Sequence, residues 1–188
     1  MKFIRTEIPD VIIIEPTVFG DERGYFVETF RQDKLNEFLG FDINFIQDNE
    51  SKSSYGVLRG LHYQLAPAAQ TKLVRVIKGK VLDVAVDIRT GSPTFGQYVS
   101  VELSEQNKRQ LLVPRGFAHG FVVLEDDTVF AYKVDNYYSP ENDRGIAFDD
   151  PALGINWKVD KDRLKLSAKD TQQVLLAKAE VFNGGSLY

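Results

Sequence analysis

Short runs of β-branched and aromatic residues recur along most of the chain, with Gly or Pro in many of the intervening segments. Short strands at such regular spacing, separated by turn residues, are typical of antiparallel sandwiches and barrels. The sequence therefore predicts an all-β fold, an antiparallel jelly-roll barrel. Its predicted strands are 24–30, 43–49, 72–78, 81–88, 98–103, 109–114, 120–124 and 128–134.

Two segments depart from the strand pattern. The apolar residues of 31–40 have the i, i+3, i+4 spacing of an amphipathic helix, and Gly40 suits its C-terminal end. A second short helical piece is expected near 160–166. Because no Pro-, Gly- or Ser-rich linker and no internal repeat divides the chain, we predict a single domain over residues 1–188 with a few short helices.

The composition argues against several classes of protein. The chain has no cysteine, so it can form neither disulfides nor thiolate metal sites. Its 23 basic and 27 acidic residues give a formal net charge of −4, without the basic excess of a nucleic-acid binder. No apolar stretch approaches the roughly 18 residues of a membrane span, and the apolar run 11–14 is too short for a signal peptide. We therefore expect a cytoplasmic protein that binds neither nucleic acid nor membrane.

Strand periodicity directs three ionisable side chains into the predicted core. Lys72, His119 and Tyr132 are each in phase with the apolar residues of their own strand. Burying such groups is costly unless they are paired or functional, so their phase indicates a polar pocket inside the barrel. In the strand that holds Asp83 and Asp87, the two aspartates take the face opposite the side chains of Leu, Val and Ile.

The only two histidines lie in segments that resemble degraded cupin metal-binding signatures. His62 lies in "RGLHYQ" and His119 in "PRGFAHGF". Gln64 stands where the first signature has its second histidine, and Ala68 stands where it has a carboxylate. A first-row metal bound by imidazole and carboxylate needs three or four such ligands. We therefore expect no metal, and a pocket whose polar side chains perform proton chemistry.

Seven motifs follow one another along the chain, from "FGDERGYFVETF" through "RGLHYQ", "TKLVRVIKG", "PRGFAHGF", "YKVDNYYSPENDRGI" and "DDPALGINW" to "LSAKD". This ordered set resembles the dTDP-4-dehydrorhamnose 3,5-epimerase family of cupin-fold enzymes. The resemblance implies inversion at C3 and C5 of a 4-keto-6-deoxy sugar carried on thymidine diphosphate. Both carbons adjoin the C4 ketone, so their C–H bonds are acidified through an enolate. The reaction then needs a base, a proton donor on the opposite face and a positive group at the ketone oxygen, but no cofactor.

The resemblance also implies roles for four residues. His62 is the base that removes the α-proton, and Asp170 orients its imidazole. Lys72 stabilises the enolate oxygen, and Tyr132 donates a proton from the other face. Taken alone, each has a structural alternative: a hydrogen-bonded core histidine, a solvent-facing edge lysine or a core tyrosine bonded to a backbone carbonyl.

Further positions correspond to the binding residues of the family. Arginine matches phosphate oxygens well, which favours Arg59 and Arg23 at the pyrophosphate. The resemblance places Arg23 and Glu28 across a subunit boundary, so a homodimer is expected. His119 lines the sugar pocket and is the second candidate for the base. Asp143 stands where the family has a glutamate, which puts its contact with the ligand in doubt. The remaining predicted binding residues are Gln47, Asn49, Lys72, Tyr138 and Lys169, with Tyr138 stacking on the pyrimidine unless it is a plain surface tyrosine.

The sequence leaves alternatives to the double epimerase. A related enzyme that inverts one carbon, or a 3,4-ketoisomerase, would share the same pocket. A cupin that only binds a sugar nucleotide is a third alternative, although such a protein would have no use for a His–Asp pair opposite a tyrosine.

Overall fold

A computed structural model describes residues 1–184, and the last four residues of the predicted domain lie outside the described part. The single-domain assignment itself stays a prediction. Within the described residues the chain forms mainly strands. They are β1 (Lys2–Arg5), β2 (Ile12–Glu15), β3 (Val18–Asp21), β4 (Gly24–Val27), β5 (Gln47–Ser53), β6 (Leu58–Gln64), β7 (Lys72–Lys78), β8 (Lys80–Asp87), β9 (Arg89–Thr90), β10 (Tyr98–Ser104), β11 (Gln110–Val113), β12 (Phe117–Val123), β13 (Thr128–Val134), β14 (Asp143–Gly145) and β15 (Phe182–Asn183).

Two antiparallel sheets form the body of the molecule. The six-stranded sheet has the order β1-β2-β11-β7-β13-β5, and the five-stranded sheet has the order β10-β8-β12-β6-β14. Apart from β1 and β2, neighbours within these sheets are not consecutive in sequence, as in a jelly roll. The predicted antiparallel jelly-roll barrel is therefore confirmed. A separate two-stranded sheet joins β9 and β15 in parallel, and a hairpin joins β3 and β4.

Apolar side chains fill three layers around the two sheets. The inner layer lies between the sheets and includes Val74, Phe121 and Phe130. The C-terminal part of the chain covers the outer face of the five-stranded sheet, where Trp157 packs. The helix covers the outer face of the six-stranded sheet, where Leu35 is buried. The inner layer is interrupted by the ionisable side chains of Lys72, Asp83 and His119, which lie between the sheets.

The helix prediction is confirmed. Helix α1 spans Gln32–Leu39, and Gly40 ends it with a φ of +80°, a left-handed conformation that glycine adopts without strain. The second predicted helical piece is a single 3-10 turn at Lys161–Arg163. Two further 3-10 turns, at Asp170–Gln172 and Leu176–Lys178, were not predicted. No helix among residues 1–184 is long and apolar enough to cross a membrane.

Several strands differ from the sequence prediction. The strand predicted at 24–30 ends at Val27, and the short strands β1, β3, β9, β14 and β15 were not predicted. Two further differences, in β5 and β6, bear on the site. The strand expected at 43–49 begins only at Gln47 and continues to Ser53. This polar segment is the edge of its sheet and pairs with β13 alone, so its bounds follow the register with β13 and not an apolar pattern of its own. Strand β6 was not predicted, because glycine and arginine weaken its strand pattern. Backbone pairing with β12 and β14 overrides that low propensity.

A β-bulge in β6 decides where two predicted site residues point. His119 pairs with His62 and Phe121 pairs with Arg59, so three steps along β6 match two steps along β12. The extra residue turns Arg59 and His62 to the same face, although strict alternation would separate them. Gly60 lies at the bulge with a φ of +134°, where an added Cβ would lie 2.5 Å from the Cα of Gly120.

Candidate functional site

A cavity of about 560 Å³ opens between the two sheets. That volume is in the range of small-molecule sites. Seven predicted site residues line it: Arg59, His62, Lys72, His119, Tyr132, Lys169 and Asp170. The two sheets contribute from opposite sides, since His62 projects from β6 of the five-stranded sheet and Tyr132 from β13 of the six-stranded sheet.

The side chains of His62 and Asp170 are in contact, although 108 positions separate them in sequence. The Nε2 atom of His62 lies 2.6 Å from Oδ1 of Asp170. Nε2 is buried, and apart from this contact it has no hydrogen-bond partner among the described residues. The Asp170 side chain is only 4% exposed. A proton on this ring nitrogen therefore has one partner, the carboxylate.

The charged form of Asp170 is stabilised by its neighbours. Burial by itself raises the pKa of this carboxyl, but contacts from His62 and Ser167 outweigh burial and hold the pKa below its usual value. The hydroxyl of Ser167 donates to Oδ2 at 2.6 Å. The sequence analysis missed Ser167, although its place three residues before Asp170 is a common spacing for a side chain that caps a turn.

The Tyr132 hydroxyl remains protonated at neutral pH. Its pKa is raised above the ordinary value by burial, which the nearby positive charge of Arg59 only partly offsets. The ring packs against the inner apolar layer, beside Phe130. A buried phenol in this position can donate a proton into the cavity.

Lys72 lies at the start of β7, and the pKa of its ammonium group in the cavity is strongly shifted. Burial lowers the pKa of its ammonium group from 10.5 to about 8. The negative charges of Asp143 and Asp83 oppose this decrease, and the positive charge of Lys169 adds to it. The inward direction predicted from strand phase agrees with this position.

His119 is held by a carboxylate that the sequence analysis placed on the wrong face. Its Nε2 lies 2.9 and 3.0 Å from the two carboxylate oxygens of Asp83, and Asp83 is fully buried. Burial raises the pKa of Asp83, while His119 and Lys72 oppose that increase. Both faces of β8 are apolar and covered, so alternation along β8 gives no inward direction. The inward direction of Asp83 follows instead from the register with β12, which puts Asp83 opposite Phe121.

Arg59 contacts strand β5, and the two predicted amides of β5 contact each other. The Arg59 guanidinium donates to the hydroxyl of Ser53 at 3.2 and 3.4 Å. Gln47 and Asn49 share a face, as predicted, and the Gln47 amide donates to the Asn49 side-chain oxygen at 2.9 Å. Asn49 pairs directly with Tyr132 across β5 and β13. These two amides lie beside the cavity and do not line it.

Three predicted residues form a chain at one side of the cavity. Lys169 forms an ion pair with Oδ2 of Asp143, and the Tyr138 hydroxyl donates to the same oxygen at 3.1 Å. Of the three, only Lys169 lines the cavity. The Tyr138 ring is 59% exposed, and its bond to Asp143 raises the pKa of its hydroxyl. Asp143 therefore contacts two other predicted binding residues.

Arg23 and Glu28 do not line the cavity of their own chain. Arg23 lies on the β3–β4 hairpin, is 86% exposed and forms an ion pair with Asp21 at 2.5 Å. Glu28 follows that hairpin and lies 3.6 Å from the guanidinium of Arg31. Both positions are compatible with the predicted contribution to a neighbouring subunit.

Gln64 has a structural role where the cupin signature has a metal ligand. Its amide group donates to the carbonyls of Ala68 and Tyr137 at 2.7 and 3.1 Å, and its side-chain oxygen accepts from the Ser139 backbone at 2.7 Å. Among the described residues no group of three His, Asp or Glu side chains could hold a metal ion. The absence of a metal stays a prediction.

Comparison with known proteins identifies the family. The sequence profile described as dTDP-4-dehydrorhamnose 3,5-epimerase matches residues 5–178. A protein of that name from Shigella flexneri is 55% identical over 182 residues, which cover 97% of this chain and 99% of the relative. A second, from Pseudomonas aeruginosa, is 52% identical over the same shares of both chains.

Solved structures give the same result. The chain is similar to the dTDP-6-deoxy-D-glucose-3,5-epimerase of Legionella pneumophila in complex with dTDP-4-keto-L-rhamnose, with a TM-score of 0.94, 48% identity, and coverage of 98% of this chain and 99% of that one. A 3'-monoepimerase from Streptomyces bikiniensis in complex with dTDP-quinovose is more distant, with a TM-score of 0.87, 33% identity, and coverage of 92% and 87%. As its ordered motifs predicted, the chain belongs to the dTDP-4-dehydrorhamnose 3,5-epimerase family.

Proposed function

We propose that this protein inverts C3 and C5 of a dTDP-linked 4-keto-6-deoxyhexose, with His62 as base and Tyr132 as the opposing proton donor. One observation carries the proposal: the two side chains project into one cavity from facing sheets. Inversion at a carbon requires that the proton leave from one face of the sugar ring and return to the other. A ring held between the sheets exposes one face to each residue.

The base is prepared by Asp170. A general base must carry a lone pair towards the substrate, so its tautomer matters as much as its pKa. Asp170 holds a proton on the ring nitrogen that faces it, which leaves the other nitrogen free to take a proton from C3 or C5. When the ring becomes an imidazolium, the nearby carboxylate stabilises its positive charge.

The developing enolate needs positive charge, which Lys72 provides. The ammonium lies in the cavity between the sheets, where charges interact more strongly than in bulk water. Tyr132 keeps its proton at neutral pH because burial raises its pKa, so it can protonate the enolate carbon from the other sheet. His119, held rigidly by Asp83, lies on the wall of the sugar pocket and is the alternative base.

Cationic and aromatic groups around the cavity suit a nucleoside diphosphate. Arg59 and Lys169 line the cavity and bind the pyrophosphate in this proposal, while the exposed ring of Tyr138 stacks on the thymine. Gln47 and Asn49 bond sugar or base hydroxyl and amide groups. Asp143 acts on the ligand through Tyr138 and Lys169, which its carboxylate already contacts.

A homodimer accounts for the two predicted residues that lie outside the cavity. The hairpin that carries Arg23 exposes large apolar side chains, with Phe19 at 62%, Tyr25 at 60% and Phe26 at 68%. Exposed apolar patches of this kind commonly mark protein interfaces. A second copy would cover them and bring Arg23 and Glu28 to the nucleotide of its partner.

A cytoplasmic location remains a prediction from the lack of cysteine.

Hydrogen exchange in heavy water tests the proposal. The protein is mixed with dTDP-4-keto-6-deoxyglucose in D₂O, and NMR follows deuterium at C3 and C5 and the ring configuration of the product. Exchange and inversion at both carbons are expected. Exchange at one carbon would instead indicate a monoepimerase, which the Streptomyces structure shows to be compatible with this fold. A shift of the ketone to C3 would indicate a ketoisomerase, and no exchange would leave a binding protein.

Two variants assign the base. His62→Ala should lower the exchange rate at least 10²-fold, the lower end of the contribution of a general base, and leave the affinity for dTDP nearly unchanged. His119→Ala is the matched control, because it removes the second imidazole from the same cavity. If His119→Ala abolishes proton exchange and His62→Ala does not, the two roles are reversed.

A further inference from the structure

The two carboxylate oxygens of Asp170 have different partners. Oδ1 lies 2.6 Å from Nε2 of His62 and 3.5 Å from the backbone nitrogen of Gly60. Oδ2 accepts a hydrogen bond from the Ser167 hydroxyl at 2.6 Å. The Ser167 oxygen in turn accepts the backbone N–H of Asp170 at 3.2 Å. The Ser167 side chain is therefore held between the carboxylate and the backbone of the same residue.

This closed arrangement fixes the plane of the carboxylate. A carboxylate rotates readily about its last single bond, and only one of its orientations presents Oδ1 to the imidazole. The Asp170 side chain is buried, so little water is available to hold Oδ2 in place of a protein donor. Among the described residues Ser167 provides the hydrogen bond to Oδ2, and a hydrogen bond to a charged group is among the stronger ones in proteins.

We propose that Ser167 is a positioning residue of the epimerase. It orients Asp170 so that the carboxylate keeps the proton on Nε2 of His62 and leaves the other ring nitrogen free to act as a base. The role in turnover rests on the proposed function, because it matters only if His62 removes the proton. Ser167 touches no reacting atom in this proposal. Its hydroxyl acts on the imidazole through the carboxylate, as the third member of a Ser–Asp–His chain.

Substitution of Ser167 should affect catalysis and spare binding. Ser167→Ala removes the donor to Oδ2, so the carboxylate can rotate and the imidazole loses its fixed orientation. We expect the turnover number of the exchange reaction to fall roughly tenfold, since outer partners of this kind commonly contribute about 10- to 100-fold. The affinity for dTDP should stay within about twofold. Ser167→Thr keeps the hydroxyl and should restore most of the turnover.

A neighbouring hydroxyl provides the matched control. Thr171 lies in the same turn, but its hydroxyl donates to the backbone carbonyl of Ala168 at 2.9 Å and does not contact Asp170. If Ser167→Ala acts by loosening this turn, Thr171→Val should lower turnover by a similar factor. A similar loss in both variants, or a loss of dTDP affinity that matches the loss of turnover, would overturn the proposal.

The tautomer of His62 gives a readout that does not depend on turnover. The chain has two histidines, so imidazole ¹⁵N spectra contain two sets of signals, which the His62→Ala variant assigns. We expect one tautomer for His62 in the wild type and in Thr171→Val, and a mixture of tautomers in Ser167→Ala. An unchanged His62 spectrum in Ser167→Ala would refute the role of Ser167, even if the wild type fails to turn over the 4-keto sugar and the proposed function is wrong.

Discussion

The lowered pKa of Lys72 predicts a trade-off between activity and stability. Burial lowers that pKa from 10.5 to about 8, and each pKa unit corresponds to about 1.4 kcal/mol. The native state therefore disfavours the charged amine by roughly 3 kcal/mol relative to the unfolded chain. Because the side chain keeps some contact with solvent in the cavity, we expect about 1–3 kcal/mol in practice.

For activity, the prediction concerns the alkaline limb of kcat/KM, which reports the free enzyme. The enolate needs a charged Lys72, so kcat/KM should fall about tenfold for each pH unit above pH 8. The Lys72→Arg variant stays charged, so its alkaline limb should move to higher pH even if its maximum is lower. Lys72→Met should lose about 10²–10³-fold at pH 7, as when a donor to a developing oxyanion is removed.

The free energy of unfolding should change with pH in the direction opposite to that of kcat/KM. Between pH 8 and 10.5 the unfolded chain binds a proton at residue 72 and the native state does not, so the free energy of unfolding should rise with pH in this window. Lys72→Met lacks the buried cation and should be about 1–3 kcal/mol more stable than wild type at pH 7. Urea denaturation from pH 7 to 9.5 measures both effects. A less stable Lys72→Met, together with an unmoved alkaline limb in Lys72→Arg, would refute the reasoning.

Three other substitutions separate the remaining roles. Tyr132→Phe removes the acid and leaves the base, so NMR in D₂O should show deuterium entering with the original configuration kept; normal inversion would exclude Tyr132 as the donor. Arg59→Ala removes a phosphate ligand and should weaken dTDP binding about 10- to 100-fold by calorimetry, the value of a charged hydrogen bond; an unchanged affinity would assign Arg59 to structure. Asp83→Asn removes a charge that raises the pKa of Lys72, so the alkaline limb of kcat/KM should move to lower pH; an unmoved limb would contradict this coupling.

The main strands and the helix could be predicted because their patterns are local. Valine- and isoleucine-rich runs such as 72–78 became strands at nearly the predicted bounds, and the helix at 31–40 differs by one residue at each end. Strand β6 could not be predicted in this way. It carries two predicted site residues, and its backbone is held by pairing with strands far away in sequence.

The candidate site was predictable only where a motif or strand phase points to it. Strand phase gave the inward direction of Lys72, Tyr132 and His119. Alternation failed for Asp83, because β8 is covered on both faces and each face is apolar. It would also have separated Arg59 from His62, since only the bulge turns both to the cavity. Contacts between distant segments, such as that of Asp170 with His62, came from the family resemblance and not from any local pattern.

The jelly roll suits this chemistry because the inner faces of its sheets hold the site, while the outer faces provide stability. Facing sheets pack about 10 Å apart, so side chains from both can reach opposite faces of one sugar ring. The polar groups that line the cavity lower the stability of the inner apolar layer, as the lowered pKa of Lys72 and the fully buried Asp83 indicate. The outer faces offset this cost, because the helix covers one sheet and the C-terminal segment covers the other with further apolar layers. The C-terminal segment also carries Asp170, so the same packing that stabilises the barrel brings the carboxylate to His62.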